Sequence, residues 1–220
     1  MSAPLLFSLS YNRFLGYADA VARTVHIMKR NKDIIEGAFE RHIQIVDESM
    51  RHILPDVEQG ASMLLAALRR GKKVLVCGNG GSAADSQHFA TELVGRYKSE
   101  RRAYSAIALT SDTSALTCIG NDYGFENIFK RQVEAHGKAG DVLVAFSTSG
   151  SSKNILSAIA QAGKQKMRIL ALTGAKGAAL RRKADVAIVV PSSETARIQE
   201  IHELVYHAWC EFIDTEFAKP

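Results

Sequence analysis

Two segments of the chain follow one plan, and that repetition limits the available folds more than any other feature. Val74-Leu75-Val76-Cys77 is a short, unbroken apolar run ending in Gly78-Asn79-Gly80-Gly81-Ser82, and residues of helical character follow from Ala83 to about Val94. Asp141-Val142-Leu143-Val144-Ala145-Phe146 ends in Ser147-Thr148-Ser149-Gly150-Ser151-Ser152 and leads into a second helical stretch through Ala162. A half-buried strand alternates apolar and polar residues; a strand apolar at each position is covered on both faces, as in a parallel sheet between helices. Ala106-Ile107-Ala108-Leu109, Ile169-Leu170-Ala171-Leu172 and Val186-Ala187-Ile188-Val189-Val190 supply three more such runs. The pattern predicts an α/β three-layer sandwich with a central parallel sheet.

The flanks read as helices. From Ile34 to Arg70 apolar residues recur at three and four, among them Ile43, Val46, Met50, Ile53, Val57, Leu64 and Leu68, with a break at Pro55 and a stop at Gly71. These are extra N-terminal helices ahead of the first strand. A long helix from about Thr195 to Phe217 closes the chain. Residues 1–30 are weakly patterned and are read as an N-terminal extension, with one domain over residues 31–220.

Composition removes several classes. At 46% apolar and 23% charged residues the chain is neither disordered nor a rod. No apolar stretch approaches the roughly 18 to 20 residues of a membrane helix, and Leu5-Leu6-Phe7 lacks the basic lead of a signal peptide. The three cysteines, Cys77, Cys118 and Cys210, are far apart and odd in number. That argues against a disulfide framework and for a reducing, cytoplasmic location. A net charge of +5 permits an anionic partner. The basic clusters at Arg96, Lys98, Arg101, Arg102 and at Arg181, Arg182, Lys183 carry no nucleic-acid motif and read as solvated helix ends.

Both small-residue turns sit where a parallel sheet binds ligands, at the carboxyl ends of strands with a helix N-terminus behind them. Gly78-Asn79-Gly80-Gly81-Ser82-Ala83 satisfies a dinucleotide-type G-x-G-x-x-A pattern, but no acidic residue closes the next strand and no Gly-Lys-Ser/Thr makes it a Walker loop. A tight turn and a ligand loop remain equal readings of it. In the second turn Ser147, Thr148, Ser149, Ser151 and Ser152 offer five hydroxyls. One would serve as an N-cap; five favour a phosphate cradle with Lys153 beside it.

His88 and Glu92 share a helix face at i, i+4, a spacing that also describes an ordinary surface pair. On the last helix His202 and His207 are about 140° apart at 100° per residue, too far round to grip one metal, whereas Gln199 and His207 are about 80° apart. His88, Glu92, Gln199 and His207 would make a mixed nitrogen and oxygen metal site if the two helices met.

These residues resemble a known family. Cys77-Gly78-Asn79-Gly80-Gly81-Ser82-Ala83-Ala84-Asp85, Gln87 to Leu93, Gly120-Asn121-Asp122-Tyr123, Ser147 to Ser152 and Arg197-Ile198-Gln199-Glu200-Ile201-His202 are similar, in order, to the phosphoheptose isomerases of the sugar isomerase (SIS) domain class. The resemblance implies a flavodoxin-like sandwich and a cytoplasmic homotetramer with active sites at subunit interfaces. The implied enzyme converts sedoheptulose 7-phosphate to D-glycero-D-manno-heptose 7-phosphate, a first step of activated heptose biosynthesis that commonly serves lipopolysaccharide. By the same resemblance Glu92 and His207 are the catalytic pair, and His88, Glu92, Gln199 and His207 hold one zinc per subunit. Ser82, Ser147, Thr148, Ser149 and Ser152 hold the phosphate, with Arg96 nearby. Asn79, Gly80, Gly81, Asn121, Asp122, Glu92 and Gln199 make other substrate contacts. Ala196 departs from the family, standing where some relatives place an acidic substrate contact.

In the reaction so implied, a carboxylate moves a proton between C1 and C2 through a cis-enediol while a group titrating near neutrality serves the oxygens. The rival is a non-catalytic SIS-fold protein that binds the replication initiator; Glu92 and His207 together argue against it. A sugar-phosphate-sensing regulator would need a DNA-binding domain, for which the residues before 31 leave little room. No nucleic-acid or membrane partner is expected.

Overall fold

The five unbroken apolar runs form five parallel strands in a computed structural model that describes residues 30–217. They are β1 (Val74–Cys77), β2 (Ala106–Ala108), β3 (Val142–Ser147), β4 (Arg168–Gly174) and β5 (Val186–Val190). Their order in the sheet is β2-β1-β3-β4-β5, the flavodoxin-like arrangement whose direction of winding reverses between β1 and β3. Register there pairs Val74 with Val142 and Cys77 with Ala145, so both turns singled out in the sequence leave the sheet side by side at its carboxyl edge.

Helices α1 (residues 30–52) and α2 (Leu54–Arg69) precede the sheet. Pro55 lies in the first turn of α2, where its missing N–H costs nothing, so the break falls at Ile53. The others are α3 (Gly81–Val94), α4 (Thr113–Tyr123), α5 (Ile128–His136), α6 (Lys153–Lys164), α7 (Ala178–Arg181) and α8 (Thr195–Phe217). A 3₁₀ turn at Phe125–Asn127 links α4 to α5. Among the described residues no helix is long and apolar enough to cross a membrane.

Side chains alternate across the strands and build two cores. Val74, Val76, Val144 and Phe146 face the layer that holds Phe89, Tyr206 and Trp209. Leu75, Cys77, Leu143 and Ala145 face Phe129, Val133, Ile155 and Ile159. All residues of β1 and β3 are buried, as the absence of alternation predicted. The Trp209 indole N–H donates to the Val57 carbonyl at 2.8 Å and ties α8 to α2. Truncating a ring as buried as Phe146 to alanine costs roughly 3 to 5 kcal/mol, so the sheet edge stands on a rigid base. Contacts divide the chain into two units between Gln44 and Ile45; the extension drawn over residues 1–30 lies outside the described residues except at Arg30. Residues 46–217 carry the site.

Candidate active site

The two turns are stitched together at the reversal between β1 and β3. Asn79 and Asn154 exchange side-chain hydrogen bonds, Asn79 Nδ2 donating to Asn154 Oδ1 at 2.9 Å and Asn154 Nδ2 to Asn79 Oδ1 at 2.8 Å. Asn154 is buried in the first turn of α6 and its Oδ1 also accepts the Ile155 N–H. The Asn79 amide, expected against substrate, is thus engaged by a residue that the sequence did not single out. Gly80 turns the chain with φ +56°, and at Gly81 a Cβ would come within 2.5 Å of Gln199 Nε2. Only glycine lets the Gln199 carboxamide lie so close to the start of α3.

Ser152 occupies the N-cap of α6, yet its hydroxyl makes no cap bond. It accepts from Ser147 Oγ at 3.3 Å, while Ser147 Oγ accepts the Gly150 N–H at 3.1 Å. Ser151 Oγ donates to Ser149 Oγ at 3.1 Å, and Ser149 stays exposed. The hydroxyls therefore form two separate pairs of weak mutual contacts at a positive helix end. Ser82 is buried at the start of α3. A cleft of about 430 Å³ opens beside the glycine turn, lined by Asn79, Gly80, Thr110, Thr117, Gly120 and Phe125. Asn121 and Asp122, at the end of α4 next to Gly120, are exposed and bonded to each other at 2.7 Å. Arg96 lies past the opposite end of α3, pairing loosely with Glu100 at 4.0 Å.

The packing of α3 against α8 supplies what the sequence left open. Ligand atoms of His88, Glu92 and His207 lie within 4.8 Å of one another. His88 Nε2 is 3.3 Å from Glu92 Oε1, and the His88 and His207 rings meet edge to face at 4.9 Å. Two imidazole nitrogens and a carboxylate oxygen are a donor set that suits zinc. Gln199 stands two turns before His207 on the same side of α8, over Gly81. His202, by contrast, is fully buried against the Phe146 ring at 5.7 Å. Neither of its ring nitrogens makes a hydrogen bond of normal geometry. Burial pushes its pKa down to about 4, opposed by a weaker contact with the Thr173 backbone.

Four residues that the sequence did not single out for a role surround the cluster. The Tyr206 hydroxyl is 2.9 Å from His88 Nδ1, and Glu203 Oε1 is 3.5 Å from the same nitrogen. The Asp85 carboxyl is pushed up to about 6, first by burial, then by Glu203, with His88 opposing. Tyr97 stacks on His207 at 5.5 Å from a loop anchored by a buried pair. Arg101 Nε donates to Asp214 Oδ1 at 2.7 Å, and Asp214 Oδ2 accepts the N–H groups of Lys98 and Ser99 at 2.8 and 2.9 Å. Burial alone would raise the Asp214 carboxyl, but the Ser99 N–H, the Arg101 guanidinium and the Lys98 N–H together hold it below its ordinary range. All three cysteines are free thiols.

The SIS domain family model matches residues 39–174, which takes in both turns and α3. Over 186 residues the chain is 52% identical to the phosphoheptose isomerase of Campylobacter concisus, covering 84% of this chain and 98% of that one. The solved phosphoheptose isomerase of Neisseria gonorrhoeae superposes with a TM-score of 0.80 at 44% identity, over 84% of this chain and 98% of that one. That of Francisella tularensis gives 0.81 at 42%, over 83% and 97%.

Proposed function

The chain belongs to the SIS-domain family, among the phosphoheptose isomerases, and from that premise we propose that it interconverts sedoheptulose 7-phosphate and D-glycero-D-manno-heptose 7-phosphate. The observation that carries the chemistry is the meeting of Glu92 and His207, brought together from two helices.

The phosphate of the open-chain ketose is assigned to Ser82, Ser147, Thr148, Ser149 and Ser152, at the positive ends of α3 and α6. Binding energy from that remote group positions C1 and C2 at the cluster. Asn79, Gly80, Gly81, Asn121, Asp122 and Gln199 are assigned to the sugar, where Gln199 closes over Gly81. Glu92 removes a C1 proton as His207 protonates O2, giving the cis-enediol. His207 then takes the O1 proton and Glu92 returns its own to C2, leaving the C1 aldehyde. Oε1 of Glu92 is the oxygen that faces His88, so Oε2 is assigned the proton.

His88, Glu92, Gln199 and His207 would hold one zinc per subunit. The ion would supply positive charge to the sugar oxygens as negative charge develops on them. An acid/base pair of this kind separates an isomerase from a non-catalytic SIS-fold partner of the replication initiator. The product suits the first step of activated heptose biosynthesis, with lipopolysaccharide as the usual destination and the cytoplasm as the setting; no nucleic-acid partner is assigned.

A homotetramer with active sites between subunits is part of the same reading. Met50, Leu54, Leu204 and Phe212 are exposed large apolar side chains, and Val46, Met50, Leu54, Val57, Leu204 and Ala208 line an apolar groove along α1, α2 and α8. A second copy is the natural cover for such a face.

The test incubates purified protein with sedoheptulose 7-phosphate and follows the aldoheptose phosphate. Glu92→Gln keeps the side-chain shape without the proton acceptor, and turnover should fall at least about 100-fold. Near-normal turnover would assign the base to another residue.

A further inference from the structure

We propose that Tyr206, backed by Glu203, is a positioning residue that keeps the proton of neutral His88 on Nδ1, so that the Nε2 lone pair faces Glu92 and His207. The inference rests on the reading that this cluster holds a metal, and it adds how one ligand is prepared for it.

A neutral imidazole carries one ring proton, and acceptors on both sides of His88 compete for it. Glu92 Oε1, 3.3 Å from Nε2, would draw the proton into the cluster, where it blocks a metal. The Tyr206 hydroxyl, 2.9 Å from Nδ1, and Glu203 Oε1, 3.5 Å from it, draw the proton the other way. A carboxylate can only accept. A hydroxyl can donate or accept, and with the Glu203 carboxylate at the same nitrogen calling for an N–H there, the Tyr206 oxygen serves as a second acceptor for it. Glu203 calls for an N–H at Nδ1 and Tyr206 accepts it at 2.9 Å, a shorter contact than the 3.3 Å on the Glu92 side.

Packing fixes the hydroxyl before any metal arrives. Tyr206 is fully buried, edge-on to Phe146 at 6.1 Å and tilted on Phe89 at 5.6 Å. Its oxygen does not have to be ordered on binding. The residue next in sequence is His207, so one turn of α8 supplies both a ligand and the group that orients the ligand on α3. A second hydrogen bond that sets the tautomer of a ligating histidine is a general device, and its loss typically costs about 10- to 100-fold in metal affinity.

Tyr206→Phe removes the oxygen and keeps the ring in its packing. Two readouts are needed on the full chain: zinc affinity by competition with a chromophoric chelator, and the ¹⁵N imidazole signals of His88 in metal-free protein, assigned with His88→Asn. Wild type should show a protonated Nδ1. Tyr206→Phe should weaken zinc binding at least about 10-fold and move the proton toward Nε2. Adding Glu203→Leu should deepen both effects, whereas Glu203→Gln, whose amide oxygen still accepts, should cost less. Equal zinc affinity and an unchanged His88 tautomer in Tyr206→Phe would overturn the proposal while leaving the metal reading standing. A wild type that binds no zinc, with a Tyr206-dependent Nδ1 proton, would sink the metal reading and leave the positioning role intact.

Discussion

Acid should destabilise this fold through His202, and the size of the effect follows from its surroundings. The ring is fully buried between α8 and the end of β4, so it stays neutral in the folded chain down to about pH 4. An unfolded chain takes up the proton near 6.5. A lowered pKa means that the unfolded state binds more protons between those values, so the full stability is present above about 6.5 and is lost as pH falls toward 4. At 1.36 kcal/mol per unit the complete shift is worth roughly 3 kcal/mol, of which about 2 kcal/mol is gone by pH 5. Asp85 has the opposite sign: its carboxyl, raised to about 6, strains the fold when charged and is relieved as pH drops. The wild-type profile is therefore shallow, and the His202 contribution has to be read by difference. His202→Leu has similar volume and no titrating group, and it removes two buried nitrogens that lack hydrogen bonds. Urea midpoints at pH 8 and pH 5, at one protein concentration because any subunit association would shift stability, can be followed by the single tryptophan, buried Trp209. Between those pH values the variant should lose about 2 kcal/mol less than wild type. Equal losses would refute the placement of a neutral His202 in the core.

Asp214→Asn breaks the buried pair with Arg101, whose side chains are only 3% and 4% exposed, and should cost roughly 3 kcal/mol in urea unfolding. The loop bearing Tyr97 should loosen with it, visible as a shift in the His207 imidazole resonance; an unchanged midpoint would show the pair to be dispensable. Asn154→Ala leaves Asn79 without its reciprocal partner and should cost about 2 kcal/mol while raising the KM for the sugar phosphate more than it lowers kcat. A fall in kcat alone would count against a role in holding the two turns. Leu204→Asp puts a charge in the apolar groove and should reduce the particle mass seen by light scattering, whereas an unchanged mass would move the interface elsewhere.

Much of the sheet was legible because its code is local. The apolar runs at Val74–Cys77 and Val186–Val190 match β1 and β5 end to end, and Val142–Ser147 differs from its expected run by one residue at each end. Helices α4 and α5 were not read, since residues 113–136 mix small, polar and apolar types, and α4 buries no residue fully. The site divides along the same line. Spacing put His88 with Glu92, put Gln199 with His207 and separated His202 from His207, because each is a relation within one helix. That α3 lies against α8 is a relation between helices, and no period in the sequence encodes it.

The residues left unread share that property. Tyr206 reaches His88 across 118 residues, Asn154 reaches Asn79 across 75, and Asp214 reaches Ser99 across 115. Each reads in the sequence as an ordinary helix residue, and each acquires its role only from strand order. With β1 and β3 adjacent, the helices that follow them start side by side, so Asn79 and Asn154 meet. With α8 against α3, the residue before His207 comes under the ring of His88 rather than into solvent. The proposed ligand set is thus written in local spacing, while the groups proposed to hold its tautomer, and those that hold its loop and its turns, are written in topology.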